Sequence, residues 1–459
     1  MALKKSSSPR RRSHPKELAL LGGKKLAPIP ADQHPALSRR ALQRAYKLLE
    51  KGMTVGLGKH HPIINEAEEA IATWQGVKHC MVLASGHASL QMSLVGLEIE
   101  PGDEVITTPY SWGASTSCIL HCGAIPVFTD VDPDTGLMDP RTIEPLISKR
   151  TRAILPVHIH GQPANMPAIM KVAKRHRIPV VEDGSQAHGA LVGGKKVGCY
   201  GDAGGFSCMG FKLLGTMEAG YLSTPHEDLY WKAALCCQHM GRSPDSGFPR
   251  KLLPYVDSLV YSYRLSPVAA VLITEQLKKV DREIEGRRKN VKKLRSLLQG
   301  SRCLSFPSYA PDTKPSYYTV TMNFNAQAAG VRRETFIKAL AAEGVEVGCY
   351  VPAPIPYWER MRPRGYKGPK TIWTRNLAAA GVNYRSQKLP GCEEKVLKSI
   401  DMDWNYLKYD PQRMANLADV FGKVEENLGA LKDWEASQDK RASKQIKGKA
   451  RPSRREVLK

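Results

Sequence analysis

Short, continuous apolar runs alternate with helically spaced apolar residues along the first half of the chain. The runs are rich in Val, Ile and Leu, which is typical of strands buried on both faces of a sheet. They lie at 80–85, 103–109, 124–131, 153–160, 179–184, 205–208 and 220–224. Segments between the early runs have helical spacing, as in Leu90, Leu94 and Leu97, and residues 165–177 form another such segment. This alternation predicts an α/β fold with a mainly parallel sheet.

A long helical pattern separates this region from a smaller unit. It runs from Pro267 to about Leu298 and predicts a helix that links two domains. Beyond it, the sequence predicts a strand at 317–325, a helix at 332–343 and a strand at 345–350. We therefore expect a large domain with an amino-terminal arm over 17–298, and a smaller α/β domain over 299–435.

The net charge of +24 at first suggests a polyanionic partner, but much of it lies at the two ends of the chain. Residues 1–16 carry six basic side chains and no acid, and residues 440–459 carry nine basic side chains and one acid. The remaining 423 residues carry only +10. Both ends are rich in Ser, Pro, Lys and Arg, which predicts disordered basic tails at 1–16 and 436–459. Nucleic-acid binding by these tails is a secondary hypothesis, because no nucleic-acid fold motif lies between them.

Composition and spacing argue against several other classes of protein. No apolar run approaches the ~18 residues of a transmembrane helix, and the first residues lack the apolar core of a secretory signal. Ten cysteines in 459 residues are too few for a disulfide framework, and none lies in a CxxC pair that would indicate zinc. We therefore expect a cytoplasmic globular protein without a metal site.

Two turns at predicted strand ends carry candidate binding chemistry. Residues 84–89 join a strand end to a helix start, where free backbone N–H groups can hold an anion such as phosphate. Residues 182–189 follow another strand, and ligands of open α/β sheets bind at such carboxyl ends. Asp183 there can keep a heterocyclic nitrogen protonated. The alternatives are an ordinary turn at 84–89 and an Asp183 that only caps the next turn.

Lys212 and Trp112 are side chains whose neighbours suggest reactivity or stacking. Lys212 lies among Gly, Phe, Met and Leu residues, and burial there would lower the pKa of its amine and favour Schiff-base chemistry. The alternative is a lysine whose ammonium group reaches solvent past an apolar stem. Trp112 follows a strand end and can either stack on a planar ring or pack in the core.

Together these segments resemble the DegT/DnrJ/EryC1/StrS aminotransferases over about residues 18–431. The matching stretches are LALLGGKK (18–25), GDEVITTPYSW (102–112), PVFTDVDPDTG (126–136), PVHIHGQPANM (156–166), VVEDGSQAHGA (180–190), VGCYGDAGGFS (197–207) and KLLGTMEAG (212–220). The resemblance implies a fold-type I transferase that depends on pyridoxal 5′-phosphate (PLP), with a seven-stranded sheet in its large domain. The opening LALLGG is similar to the branch that aminates inosose and related cyclic ketones.

The resemblance also implies a role for each matching residue. Lys212 matches the lysine that forms the aldimine with the cofactor and moves the proton, and Asp183 matches the acid that faces the pyridine nitrogen. Gln186 matches the residue that hydrogen-bonds the phenolic oxygen, and Trp112 matches the aromatic residue that stacks on the ring. The residues that match the phosphate cradle are Gly86, His87 and Ser207.

In this family a second subunit completes the site through a segment like YSYRLS (261–266), so the resemblance implies a homodimer with shared active sites. Two positions depart from the family pattern. His87 stands where Thr is usual, and its imidazole can replace the lost hydroxyl at the phosphate or meet the substrate instead. Ser262 stands where Asn is usual, and this shorter side chain would reach the phosphate through water.

The implied activity is transfer of an amino group from glutamate or glutamine to a nucleotide-linked keto-sugar or a cyclitol ketone, as in sugar, cyclitol and polysaccharide biosynthesis. Candidates for the rim that receives the acceptor are Tyr317, Tyr318 and residues 349–358. Two alternatives stay open. One is a PLP-dependent dehydratase or lyase on the same fold, although Lys212 argues against the relatives that replaced this lysine and became dehydratases. The other is a non-enzymatic protein that binds polyanions.

Overall fold

Helices and strands alternate through most of the chain. The computed structural model describes residues 17–26, 29–52, 61–237, 247–362 and 366–449. The α-helices in these ranges are α1 Arg39–Glu50, α2 Pro62–Gln75, α3 Gly86–Gly96, α4 Ala114–His121, α5 Met166–His176, α6 Glu227–Cys237, α7 Pro267–Leu297, α8 Ala326–Ala329, α9 Arg333–Ala342, α10 Ile372–Ala379, α11 Pro390–Lys398, α12 Pro411–Glu426 and α13 Leu428–Lys449. The strands are β1 His79–Leu83, β2 Glu104–Thr107, β3 Ile125–Phe128, β4 Thr151–Leu155, β5 Val181–Asp183, β6 Leu191–Val192, β7 Lys195–Lys196, β8 Ala203–Ser207, β9 Gly220–Thr224, β10 Leu304–Ser305, β11 Thr313–Lys314, β12 Thr319–Phe324 and β13 Ser399–Asp403. No described helix is long and apolar enough to cross a membrane.

Seven of these strands form the central sheet, in the order β3-β2-β4-β5-β8-β9-β1. Two hydrogen-bonded ladders make up most of it, and the parallel bridges Ile154–Val180 and Val157–Asp183 join β4 to β5. Only β9 runs antiparallel to its neighbours within this sheet. The predicted mainly parallel α/β sheet is therefore confirmed. The carboxyl ends of β1, β2, β5 and β8 meet at one edge, and the loop from β8 to β9 turns back at that same edge.

Glycines in β8 allow helix α3 to lie directly on the sheet. A Cβ atom at Gly205 would lie 2.6 Å from Leu90 Cδ2, and one at Gly204 would lie 2.7 Å from Gly198 Cα. A larger residue at Gly205 would push α3 away from β8, and one at Gly204 would displace the turn that contains Gly198. The close approach places the amino-terminal end of α3 beside Ser207, at the end of β8.

Helix α7 corresponds to the predicted linking helix. It extends from the core of the central sheet into a second core. Its first turns place Ala269, Ala270 and Ile273 in a cluster with residues of β1 and β8. Further along, Val291 and Leu294 pack among residues of α9, α12 and the antiparallel sheet β10-β12-β13. Leu18 of the amino-terminal arm is also buried in this second core. The proposed domain boundary at 298/299 stays a prediction.

Two predictions of local structure are wrong. Residues 345–350 form no strand: Gly348 makes an isolated antiparallel bridge with Asp401, and Pro352 and Pro354, which lack an N–H group, follow soon after. The carboxyl-terminal tail does not begin at 436, because α13 continues to Lys449. This helix is anchored by Glu435 and Asp439, which bind Arg332 at 3.0 and 2.8 Å. The predicted tail at 1–16 and the last residues, 450–459, lie outside the described residues.

Candidate active site

A cleft of about 390 Å³ lies where the parallel strands end. All but one of the predicted site residues line it. They are Gly86, His87, Trp112, Asp183, Gln186, Ser207 and Lys212. A wider groove of about 790 Å³ lies between the amino-terminal arm and α7, and none of the predicted site residues lines it. The cleft is therefore the candidate active site.

Lys212 enters the cleft from the loop between β8 and β9. Backbone bonds from Cys208 N–H to Ala219 O (2.7 Å) and from Thr216 N–H to Cys208 O (2.9 Å) close this loop. The lysine is only 8% exposed. Burial lowers the pKa of its amine, and the negative charge of Asp183 opposes this shift. The result is a buried amine that is more readily neutral, and hence more nucleophilic, than a surface lysine.

Asp183 ends strand β5, and its carboxylate is held by two donors. The Ser115 hydroxyl on α4 donates to Oδ2 at 2.6 Å, and the Ser185 N–H donates to Oδ1 at 3.1 Å. Ser111 Oγ lies 2.9 Å from Ser115 Oγ and extends this network. The carboxylate thus keeps a defined orientation in the cleft. Sequence reasoning missed Ser115, since a serine in a helix carries no local signal for this contact.

Glu182 secures the end of β5 from the opposite face of the strand, where alternation places it. It is fully buried and accepts hydrogen bonds from the backbone N–H groups of Gly198, Tyr200 and Gly201 at 2.7, 2.6 and 2.8 Å. His158 Nε2 lies 3.1 Å from its Oε2. One carboxylate therefore fixes the 198–201 turn to the strand that carries Asp183.

The first turn of α3 has the geometry of an anion site. Ser85 caps the helix by accepting the Ala88 N–H at 3.2 Å, and the N–H groups of Gly86 and His87 lie in the turn that has no intrahelical acceptors. A Cβ atom at Gly86 would lie 2.4 Å from Ser207 Cβ. Only glycine allows the helix start and the end of β8 to approach so closely. These residues fit a phosphate group.

His87 contacts helix α4 through both ring nitrogens. Nε2 lies 2.8 Å from His121 Nδ1, and Nδ1 lies 3.2 Å from Ser117 Oγ. Burial, together with the neighbouring His121, lowers the pKa of His87 to about 4. The imidazole is therefore neutral at neutral pH.

Gln186 is held in the cleft at both ends of its amide. Its Oε1 accepts the His160 N–H at 2.7 Å, and its Nε2 donates to the Tyr350 hydroxyl at 2.9 Å. Tyr350 lines the cleft, as does Glu218, whose pKa is raised by burial. Sequence reasoning included Tyr350 only within the 349–358 stretch and missed His160 and Glu218.

Of the remaining candidate residues, two line the cleft and two lie outside it. Trp112 is 63% exposed at the mouth of the cleft, so it is not a core residue and its ring can cover a ligand. Tyr318 lines the cleft, and the Lys212 amine lies 4.5 Å from the centre of its ring. Tyr317 instead packs in the second core, so its predicted place on the rim is wrong. Ser262 is exposed and does not line the cleft of its own chain.

Comparison with known proteins agrees with this geometry. The profile of the DegT/DnrJ/EryC1/StrS aminotransferase family matches residues 37–383. The chain belongs to this family. Its membership confirms the predicted family and the fold-type I class, and it makes the protein an aminotransferase.

Two curated relatives and one solved structure illustrate the likeness. L-glutamine:2-deoxy-scyllo-inosose aminotransferase of Streptomyces fradiae is 35% identical over 367 residues, which cover 77% of this chain and 84% of the relative. GDP-perosamine synthase of Caulobacter vibrioides is 36% identical over 287 residues, which cover 62% of this chain and 74% of the relative. An aminotransferase structure from Psychrobacter cryohalolentis superposes with a TM-score of 0.75 at 23% identity, covering 87% of this chain and all of the other, and supports the fold.

Proposed function

We propose that this aminotransferase uses PLP to move an amino group from glutamine or glutamate to the ketone of a cyclitol or a nucleotide-linked sugar. The observation that carries the proposal is that buried Lys212 and Asp183 line one cleft beside the anion site of α3. The names of the two relatives support both acceptor classes, and one of them names glutamine as the donor. The same relatives give no support to a dehydratase.

The residues of the cleft fit PLP, a phosphorylated pyridine. When bound, PLP supplies a protonated ring that withdraws electrons from the carbon that bears the amine. The α3 N–H groups of Gly86 and His87, with Ser207, would hold the phosphate. Asp183 would keep the proton on the ring nitrogen, with its carboxylate oriented by Ser115. Trp112 would cover the ring, and Gln186 would donate to the ring oxygen.

Lys212 would both hold the cofactor and move the proton. Burial lowers the pKa of its amine, so Nζ can accept a proton from the α-carbon of the donor amino acid. The face of the Tyr318 ring, 4.5 Å from Nζ, stabilises the ammonium form that results. The same amine can then return the proton when the acceptor takes up the amino group. Its contacts thus suit both halves of a transamination.

We also propose that two copies of the chain share their active sites. Residues 261–266 lie beside β1, where Ala84 N–H donates to Tyr263 O at 2.9 Å and Leu83 pairs with Arg264. Ser262 and Tyr261 of this segment are exposed. A partner subunit would use this segment to cover the open cleft mouth at Trp112. We propose further that the enzyme is cytoplasmic, that its domains divide at 298/299, and that its basic ends lie outside catalysis.

The cofactor is tested by adding PLP to the purified protein. We expect a visible absorbance band, and borohydride reduction should leave the cofactor attached to the peptide that contains Lys212. Lys212→Ala should lose both this attachment and transamination, whereas Lys171→Ala, which replaces an exposed lysine of α5, should keep both. Attachment at another lysine, or no band, would contradict the proposal.

The substrates are tested on the loaded enzyme. Glutamine and glutamate are added separately, and the matching 2-oxo acid is measured together with the loss of the visible band. A lyase or dehydratase would not convert the cofactor to its amine form in this way. Free cyclitol ketones and nucleotide-linked keto-sugars are then compared as acceptors, and the class that restores the band is the substrate class.

A further inference from the structure

Two hydrogen bonds determine which way round the Gln186 amide lies. The backbone N–H of His160 points at one end of the amide at 2.7 Å, and because it can only donate, that end must be the oxygen. The other end, Nε2, donates to the Tyr350 hydroxyl at 2.9 Å. Nε2 carries two hydrogens, and this bond uses one of them. The second is available to a molecule in the cleft that Gln186 and Tyr350 both line.

Tyr350 lines the cleft beside strand β13, where Asp401 binds its backbone. Asp401 Oδ2 accepts the Tyr350 N–H at 2.8 Å, and its Oδ1 accepts the Ser399 hydroxyl at 2.7 Å. Gly348 and Asp401 also exchange two backbone hydrogen bonds, each 2.8 Å long. The segment before Tyr350 is therefore tied to β13 by backbone and side-chain hydrogen bonds, which fix the backbone from which the phenol projects.

His160 provides the other restraint on the Gln186 amide, and its own side chain contacts the antiparallel sheet β10-β12-β13. The residue is fully buried, with a left-handed φ of 62° that a non-glycine residue adopts only when its surroundings impose it. Its Nδ1 lies 2.8 Å from Thr319 Oγ1 on β12. Its Nε2 faces Asp401 Oδ1 at 3.9 Å. Both restraints on Gln186 thus lead to strands β12 and β13.

We propose that Tyr350, held by Asp401, is a positioning residue that fixes the Gln186 amide so that its free N–H is presented to the phenolic oxygen of the cofactor. The inference rests on the proposed function, because Gln186 meets that oxygen only when PLP occupies the cleft. The terminal torsion of a glutamine side chain is soft, so an amide that loses one of two restraints samples other orientations. A donor to an oxygen stabilises its ionised form. The antiparallel sheet β10-β12-β13 would therefore control how readily the phenolic oxygen of the cofactor ionises.

The test is the pH midpoint of the visible absorbance change of the PLP-loaded enzyme. Gln186→Ala removes the donor and should raise this midpoint, since the ionised oxygen loses a partner. Tyr350→Phe should raise it in the same direction by about half a pH unit or more, and Asp401→Asn by less. The double variant Gln186→Ala/Tyr350→Phe should shift no further than Gln186→Ala alone. Tyr384→Phe is the matched control, because this buried tyrosine donates its hydroxyl to Pro126 O at 2.6 Å, outside the cleft.

Two results would overturn the inference. One is an unchanged midpoint in Tyr350→Phe. The other is a double variant that shifts further than Gln186→Ala, which would mean that Tyr350 contacts the cofactor directly. A wild-type protein with no visible band would contradict the proposed function instead. Thermal melts identify any variant that fails to fold. If Asp401→Asn is one, Tyr350→Phe, which deletes a single oxygen, decides the question.

Discussion

Gly86 is the position where one added methyl group should separate helix α3 from strand β8. An alanine Cβ there would lie 2.4 Å from Ser207 Cβ, 2.7 Å from Ser207 Cα and 2.9 Å from Ser207 N. Two of these three atoms belong to the backbone, so no side-chain rotation can relieve the contact. We therefore expect Gly86→Ala to push the first turn of α3 away from the end of β8.

The expected loss follows from the cost of overpacking. Forcing a methyl group into a packed site costs about 1–3 kcal/mol. A phosphate held by the α3 N–H groups and Ser207 at once needs both elements at their present separation. A loss of about 1–3 kcal/mol from the free energy of phosphate binding corresponds to roughly 5- to 150-fold weaker binding of PLP.

The assay is a titration of the purified protein with PLP, followed by absorbance, with urea denaturation in parallel. Gly422→Ala in α12 is the matched control, because its Cβ would meet nothing within 4 Å. Alanine is favoured over glycine inside a helix by about 1 kcal/mol, so this control should raise stability and leave PLP binding unchanged. A Gly86→Ala protein with wild-type stability and wild-type PLP affinity would refute the reasoning.

Three further predictions concern residues around the cleft. Glu182→Ala should destabilise the fold by several kcal/mol, because three buried backbone N–H groups lose their acceptor at about 1–3 kcal/mol each; urea denaturation against the exposed Glu100→Ala measures this, and a loss below about 1 kcal/mol would contradict it. Ser115→Ala should weaken PLP binding roughly 10-fold by removing the hydroxyl donor to Asp183, and unchanged affinity in the same titration would show that the hydroxyl does not orient the carboxylate. Burial lowers the pKa of both His87 and His160 from 6.5 to about 4, so the unfolded chain binds these protons first. Stability of the ligand-free protein should therefore be full above about pH 6.5 and fall as the pH drops towards 4; urea denaturation across this window tests it, and His160→Gln should flatten the slope.

The position of Lys212 and Asp183 in one cleft could be predicted, because each residue carries a local signal. A lysine within an apolar segment indicates Schiff-base chemistry. An acid at the end of a buried strand indicates a partner for a protonated heterocyclic nitrogen. The strands around them were predictable for a similar reason, because burial on both faces requires continuous apolar runs. For these residues the nearby sequence was sufficient.

Ser115, His160 and Tyr350 show what the nearby sequence does not contain. Ser115 meets a carboxylate 68 positions away, and Tyr350 meets an amide 164 positions away. These are common residue types in ordinary contexts, and only the fold brings them together. The prediction for 345–350 failed because a strand needs a partner along its whole length, and Gly348 finds only Asp401.

The prediction of a tail from residue 436 failed because composition does not report tertiary anchors. Basic and polar residues in this segment resemble those of a disordered end. The helix is nevertheless continued by Ala, Gln and Lys, which favour helices, and is fastened to Arg332 by Glu435 and Asp439.

The antiparallel course of β9 has a consequence for the order in which the site is built during synthesis. Because β9 pairs directly with β8, the loop that carries Lys212 is closed by neighbours in sequence, at Cys208 and Ala219. A short loop costs less chain entropy to close than a long one. The bond between Gln186 and Tyr350 spans 164 positions and needs β13 in place. An emerging chain can therefore shape the loop that carries Lys212 well before it acquires the contacts that orient Gln186.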